Sequence, residues 1–173
     1  MWIANLNAWD AALSLRIYRW NGKRASDRFM RIASHAGDGY AYAAVGALVA
    51  VLDPGAAARL LSAGLLGFAF ELIVQKLIKH AIRRPRPCHA IPEIRNLVRP
   101  PDAFSFPSGH TAGAFLMATL VGQAFPAASI PAYGLSCVIG LSRVYNGVHY
   151  PGDVIAGCVL GIASAAFGLF LIG

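Results

Sequence analysis

Between Ala103 and Ser142 the chain has no aspartate, glutamate, lysine or arginine. Charge is scarce elsewhere too. Charged residues make up 13% of the chain, about half the usual share in soluble domains, and hydrophobic residues make up 57% with a mean hydropathy of +0.54. These shortages argue against a soluble globular protein and for an integral membrane one. Acid is the scarcer sign, with 8 Asp+Glu against 15 Lys+Arg and a net charge of +7. In a soluble chain that excess would suggest nucleic acid. Here the bases cluster between apolar stretches, so the expected partner is the bilayer's anionic lipid headgroups or a phosphorylated substrate, with no nucleic acid and no obligate protein partner.

Cysteine is short as well. Only Cys88, Cys137 and Cys158 occur, the last two inside apolar stretches. An odd count without a Cys-x-x-Cys or His–Cys cluster predicts no disulfide framework and no metal site. The first twenty residues lack a clean apolar core, because Asn5, Asn7, Asp10, Arg16 and Arg19 interrupt them. The expectation is therefore no cleavable signal peptide. Repeats and low-complexity tails are lacking, and 173 residues suit a single domain over 1–173.

Apolar stretches are what the chain does have. Residues 2–20 place Trp2, Leu6, Trp9, Leu13, Ile17 and Trp20 three or four apart. That predicts an amphipathic N-terminal helix within 1–30, lying in the membrane interface or packed on the bundle. Spans are predicted at about 39–52, 56–79, 109–124, 129–142 and 153–172. The second carries Glu71, Gln75 and Lys79 at i, i+4 and i+8, a polar stripe that should face the bundle interior. Five prolines between residues 80 and 106 exclude one long helix there. The resulting architecture is all-α: about five transmembrane helices plus the N-terminal helix. Five crossings would put 14 of the 15 basic residues on one face, leaving only Arg59 opposite. The positive-inside rule would make that face cytoplasmic.

Three motifs at the ends of these spans, between residues 79 and 153, carry the chemistry. Lys79 is followed by Arg86-Pro87, then comes Pro107-Ser108-Gly109-His110, then Ser142-Arg143 with His149 and Asp153. Lys79, Arg86 and Arg143 are three cations at helix ends that can converge on one phosphate. Each alone could equally be a cation snorkelling to the interface. Ser108 suits a helix N-cap, and Gly109 lets backbone approach an anion at the helix start. His110, in that first turn, can hand a proton to a leaving alkoxide. Asp153, in the first turn after Pro151, can orient His149 so that one ring nitrogen is left as a nucleophile. Arg83, Arg84, Arg95 and Arg99 flank these motifs and read as interfacial anchors.

In this order and spacing, the motifs resemble the type 2 phosphatidic acid phosphatase family over about residues 25–173. The sequence also looks like the shorter bacterial members, which include undecaprenyl-diphosphate phosphatases. The resemblance implies that His149 attacks phosphorus and becomes phosphohistidine, with Asp153 orienting it. His110 would protonate the leaving group and then activate water. Lys79, Arg86, Ser108, Gly109 and Arg143 would hold the phosphate, with no metal and no cofactor. The implied substrate is a lipid mono- or diphosphate such as undecaprenyl diphosphate, phosphatidylglycerol phosphate or phosphatidic acid. The implied location is a bacterial inner membrane with the site facing the periplasm, against the charge bias. A phosphotransferase of the same family and a non-catalytic lipid-phosphate binder are the alternatives. Haloperoxidases share the motifs, but composition disfavours them.

Overall fold

A computed structural model of the chain describes residues 2–173, with side chains from residue 8 onward. Eight α-helices follow one another: α1 (Trp2–Tyr18), α2 (Arg24–His35), α3 (Tyr40–Leu52), α4 (Pro54–Ile82), α5 (Pro87–Ala90), α6 (Gly109–Ala124), α7 (Ser129–Tyr145) and α8 (Pro151–Ile172). A 3-10 turn over Pro126–Ala128 links α6 to α7. Helix starts follow local chemistry. Asp53 is the sole residue between α3 and α4, and its Oδ1 accepts from Ala56 N at 2.9 Å while Pro54 takes the first helical position. Pro151 starts α8 in the same way.

The bundle is inside-out by the standard of a soluble protein. Leu65, Ile73, Val159 and Phe170 point outward. The seams are lined by small residues, as expected where helices pack within lipid. A Cβ on Gly161 would stand 2.2 Å from Ala112 O, and one on Gly168 would stand 2.1 Å from Ala63 O. These glycines let α8 lie against α6 and α4 at backbone distance. Ala63, Leu116, Leu120 and Ala165 fill the centre.

Helices stand at all five places where spans are predicted. Three stretches, Pro54–Ile82, Pro126–Tyr145 and Pro151–Ile172, are long and apolar enough to cross a bilayer. α3 has 13 residues and α6 has 16, both short of the roughly 20 that a crossing needs.

The N-terminal region differs from its expectation. Instead of one helix within 1–30, α1 and α2 are separated by a turn. Trp2 and Leu6 lie outside the described side chains. Of the rest of the aromatic face, Trp9 and Trp20 are 58% and 55% exposed, whereas Asp10 and Ser14 are only 5% and 1% exposed. α1 therefore buries Asp10 and Ser14 against α7 and α8 and turns Trp9 outward, and Trp20, just past its end, is outward too. The physical reason is that Asp10 has partners inside: its Oδ1 accepts from Gly152 N at 2.8 Å, and its Oδ2 from Arg84 Nη2 at 2.7 Å.

Candidate active site

α4 ends at Arg83, which adopts the left-handed conformation (φ 51°, ψ 36°), and Pro85 prevents the helix from resuming. The chain then runs extended through Arg84, Pro85 and Arg86. It pairs with the loop that returns from α5: Ser105 N donates to Arg84 O at 2.9 Å, and Pro85 forms an isolated bridge with Phe104. This pairing carries Asp102 between Lys79 and Arg86. Lys79 Nζ reaches Asp102 Oδ2 at 2.7 Å, and Arg86 Nη2 reaches Oδ1 at 2.7 Å. Burial alone would raise the Asp102 carboxyl, but Lys79 and Arg86 together hold it below the usual carboxylate range.

His149 sits in a tight reversal between α7 and α8. Val148 N and His149 N both donate to Arg143 O, at 3.2 and 3.3 Å. Gly147 turns the chain with φ +73°, and a Cβ there would meet Arg95 O at 2.8 Å. The imidazole is 1% exposed. Its Nε2 lies 3.1 Å from Arg86 Nη1. A guanidinium can only donate, so Nε2 is the acceptor and the ring proton belongs on Nδ1. Nδ1 faces Asp153 Oδ2 at 3.5 Å, too long for a strong hydrogen bond. Burial pushes the His149 imidazole down to about 3, and the Arg143 and Arg86 charges act in the same direction against Asp153. The ring is therefore a neutral base.

Asp153 is held more tightly by others than by His149. Its Oδ2 accepts from Tyr150 N at 2.8 Å, and its Oδ1 accepts from Arg84 Nη1 at 2.7 Å. Arg84 also bonds Asp10 and stacks over the Tyr150 ring at 3.9 Å. It is not the interfacial anchor that its place in a basic loop suggests, because two buried carboxylates draw it inward. Arg83, Arg95 and Arg99 are exposed.

Lys79, Arg86, Gly109, His110 and His149 line one cavity of about 520 Å³. Arg143 stands behind it, buried, with Nη1 on Ser34 Oγ and with Nε and Nη2 lacking a partner among the described residues. Ser108 occupies the N-cap position of α6 but does not cap it with its hydroxyl. Its Oγ instead accepts from Thr111 Oγ1 at 2.9 Å, and its amide donates to Asp153 O at 3.0 Å. Gly109 serves a side chain as well as any ligand, since a Cβ there would stand 1.9 Å from Gln75 Nε2. His110 Nε2 is 2.7 Å from Asp38 Oδ1, and Asp38 Oδ2 is 2.7 Å from His35 Nδ1. Burial would raise the Asp38 carboxyl, but the two histidines hold it below its ordinary range.

The sequence profile described as the PAP2 superfamily matches residues 60–172. The chain belongs to this family. It is 37% identical over 158 residues to the decaprenylphosphoryl-5-phosphoribose phosphatase of Mycolicibacterium smegmatis, covering 89% of this chain and 79% of that one. Matches to the same-named Mycobacterium tuberculosis proteins span only about half of their length, at 49%. The crystal structure of Aquifex aeolicus LpxE superposes with a TM-score of 0.76 at 25% identity, over 92% of this chain and 93% of that one. The crystal structure of the PAP2-type phosphatidylglycerolphosphate phosphatase from Bacillus subtilis superposes with a TM-score of 0.75 over 97% and 86% of the two chains. At 23% identity, the second likeness bears on the fold alone.

Against the PAP2 motifs, the structure adds residues that sequence reasoning missed. Asp102, Asp38, Arg84 and Asp10 all touch or support motif side chains. One signal for Asp102 was available: with Glu93 it is one of only two acids in the basic, proline-rich segment from residue 80 to 106.

Proposed function

We propose that this protein is an integral membrane lipid phosphatase that works through a phosphohistidine on His149. The observation that carries this reading is the state of the His149 ring: a neutral imidazole on the wall of a cation-lined cavity, its Nε2 lone pair accepting from Arg86 Nη1 until phosphorus takes that place, with a carboxylate behind Nδ1.

In the first half-reaction, Nε2 attacks phosphorus and the bond from phosphorus to the lipid alkoxide breaks. Entry of the anionic phosphate favours the imidazolium form of His110, which Asp38 holds, and His110 gives that proton to the alkoxide. Asp153 steadies the Nδ1–H side of the phosphorylated ring. In the second, water attacks phosphorus, the P–N bond returns its electron pair to Nε2, and His110 takes the proton from water. Lys79 and Arg86 hold equatorial oxygens, sharing with them the donors that Asp102 now occupies. The unpartnered donors of Arg143 supply further charge stabilisation beside His149.

Relatives named for a phosphorylated decaprenyl lipid and for lipid A 1-phosphate support an anchored lipid as substrate. The five helices α3, α4, α6, α7 and α8 are read as five crossings of a bacterial inner membrane, with the site facing the periplasm.

The test is phosphate release from a lipid panel in detergent with EDTA present. Activity should persist without metal, and His149→Ala should lose at least about a hundredfold in kcat/KM. Full activity in that variant would remove the nucleophile.

A further inference from the structure

One carboxylate on the cavity wall has no part in the steps above. Glu71 lies on α4, two turns before Lys79 and one before Gln75, all three lining the cavity. It is 3% exposed, and its Oε1 has no hydrogen-bond partner among the described residues. Gln75 brings an amide to the same wall, over the space that Gly109 leaves open.

A desolvated carboxylate with nothing to accept from is costly, and an apolar residue would fill the same place without that cost. The group that suits Glu71 is a donor on the bound molecule. An ammonium is disfavoured, because Lys79 and Arg86 line the same cavity and Arg143 stands behind it. A hydroxyl carries no charge to repel. It can donate to Glu71 while accepting from the Gln75 amide.

We propose that Glu71, with Gln75, binds a free hydroxyl on the alcohol esterified to the reacting phosphate. The inference rests on the phosphatase reading and narrows its substrate class. It favours a phosphorylated glycerol or sugar headgroup. It disfavours phosphatidic acid, whose glycerol hydroxyls are acylated, and a polyprenyl diphosphate, whose leaving group is itself a phosphate.

The test uses the full chain in detergent and three lipids: phosphatidylglycerol phosphate, the same lipid with propane-1,3-diol replacing the headgroup glycerol, and phosphatidic acid. A hydrogen bond to a charged acceptor predicts a preference of about tenfold to a hundredfold in kcat/KM for the glycerol lipid over its propanediol analogue. Glu71→Leu should collapse that preference to below about threefold, and Glu71→Gln should leave an intermediate one. No preference in the unaltered protein would overturn the inference. So would an equal loss on both lipids in Glu71→Leu with the ratio kept, or faster release from phosphatidic acid than from either. Release from none of the three, and from no phosphorylated sugar lipid either, would overturn the phosphatase reading itself.

Discussion

At the scale of single residues, the neutrality of His149 has a cost outside catalysis. The ring titrates near 3 when folded and near its ordinary 6.5 when unfolded. Between those values the unfolded chain binds one proton more than the folded one. Stability from this group is therefore present above about pH 6.5 and is lost as pH falls towards 3. Thermal unfolding in detergent should show the melting temperature dropping across that window, with a shallower drop in His149→Gln. An identical slope in the variant would contradict the buried neutral ring. Residue type and spacing made His149, His110, Lys79 and Arg86 legible in advance, because motif chemistry is local. Asp102, Asp38 and Arg84 were not legible. What they do depends on where two loops meet, and spacing along the chain carries no record of that.

At the scale of elements, helix positions were the most readable part. Uncharged runs punctuated by Asp53-Pro54, Pro126 and Pro151 placed α3, α4, α6, α7 and α8 to within a few residues. Hydrophobic spacing marks the face of α1 that suits the interface, and Trp9 and Trp20 do stand outward, but it carries no sign that Asp10 is buried, against the usual preference of aspartate for water. Asp10 has buried partners in Arg84 and Gly152, and these outweigh that preference. The α8 seam makes a second test. Ala112 O belongs to the backbone of α6 and cannot swing aside for a Cβ at Gly161. Gly161→Ala should destabilise the fold by about 1–3 kcal/mol, read as a lower melting temperature. Val159→Ala, on the outward face, should change it far less. Equal effects would mean that α8 does not pack through its glycines.

For the whole molecule, orientation is the open quantity that one measurement fixes. The basic excess on the site face is smaller than the raw count suggests, since Lys79, Arg84, Arg86 and Arg143 point into the protein. Five crossings with the site in the periplasm put Gly173 in the cytoplasm. A fluorescent reporter that matures only in the cytoplasm, fused after Gly173, should glow, and a periplasm-dependent phosphatase reporter at the same place should stay silent. The opposite pair of results would turn the molecule over.

The link from Asp10 to Gly152 joins residues 142 apart in the chain. A ribosome releases these two ends at widely separated moments. The nucleophile waits on α8, which alone delivers Asp153 behind it. A nascent chain that has not yet reached Asp153 therefore leaves the His149 ring without the carboxylate that faces Nδ1.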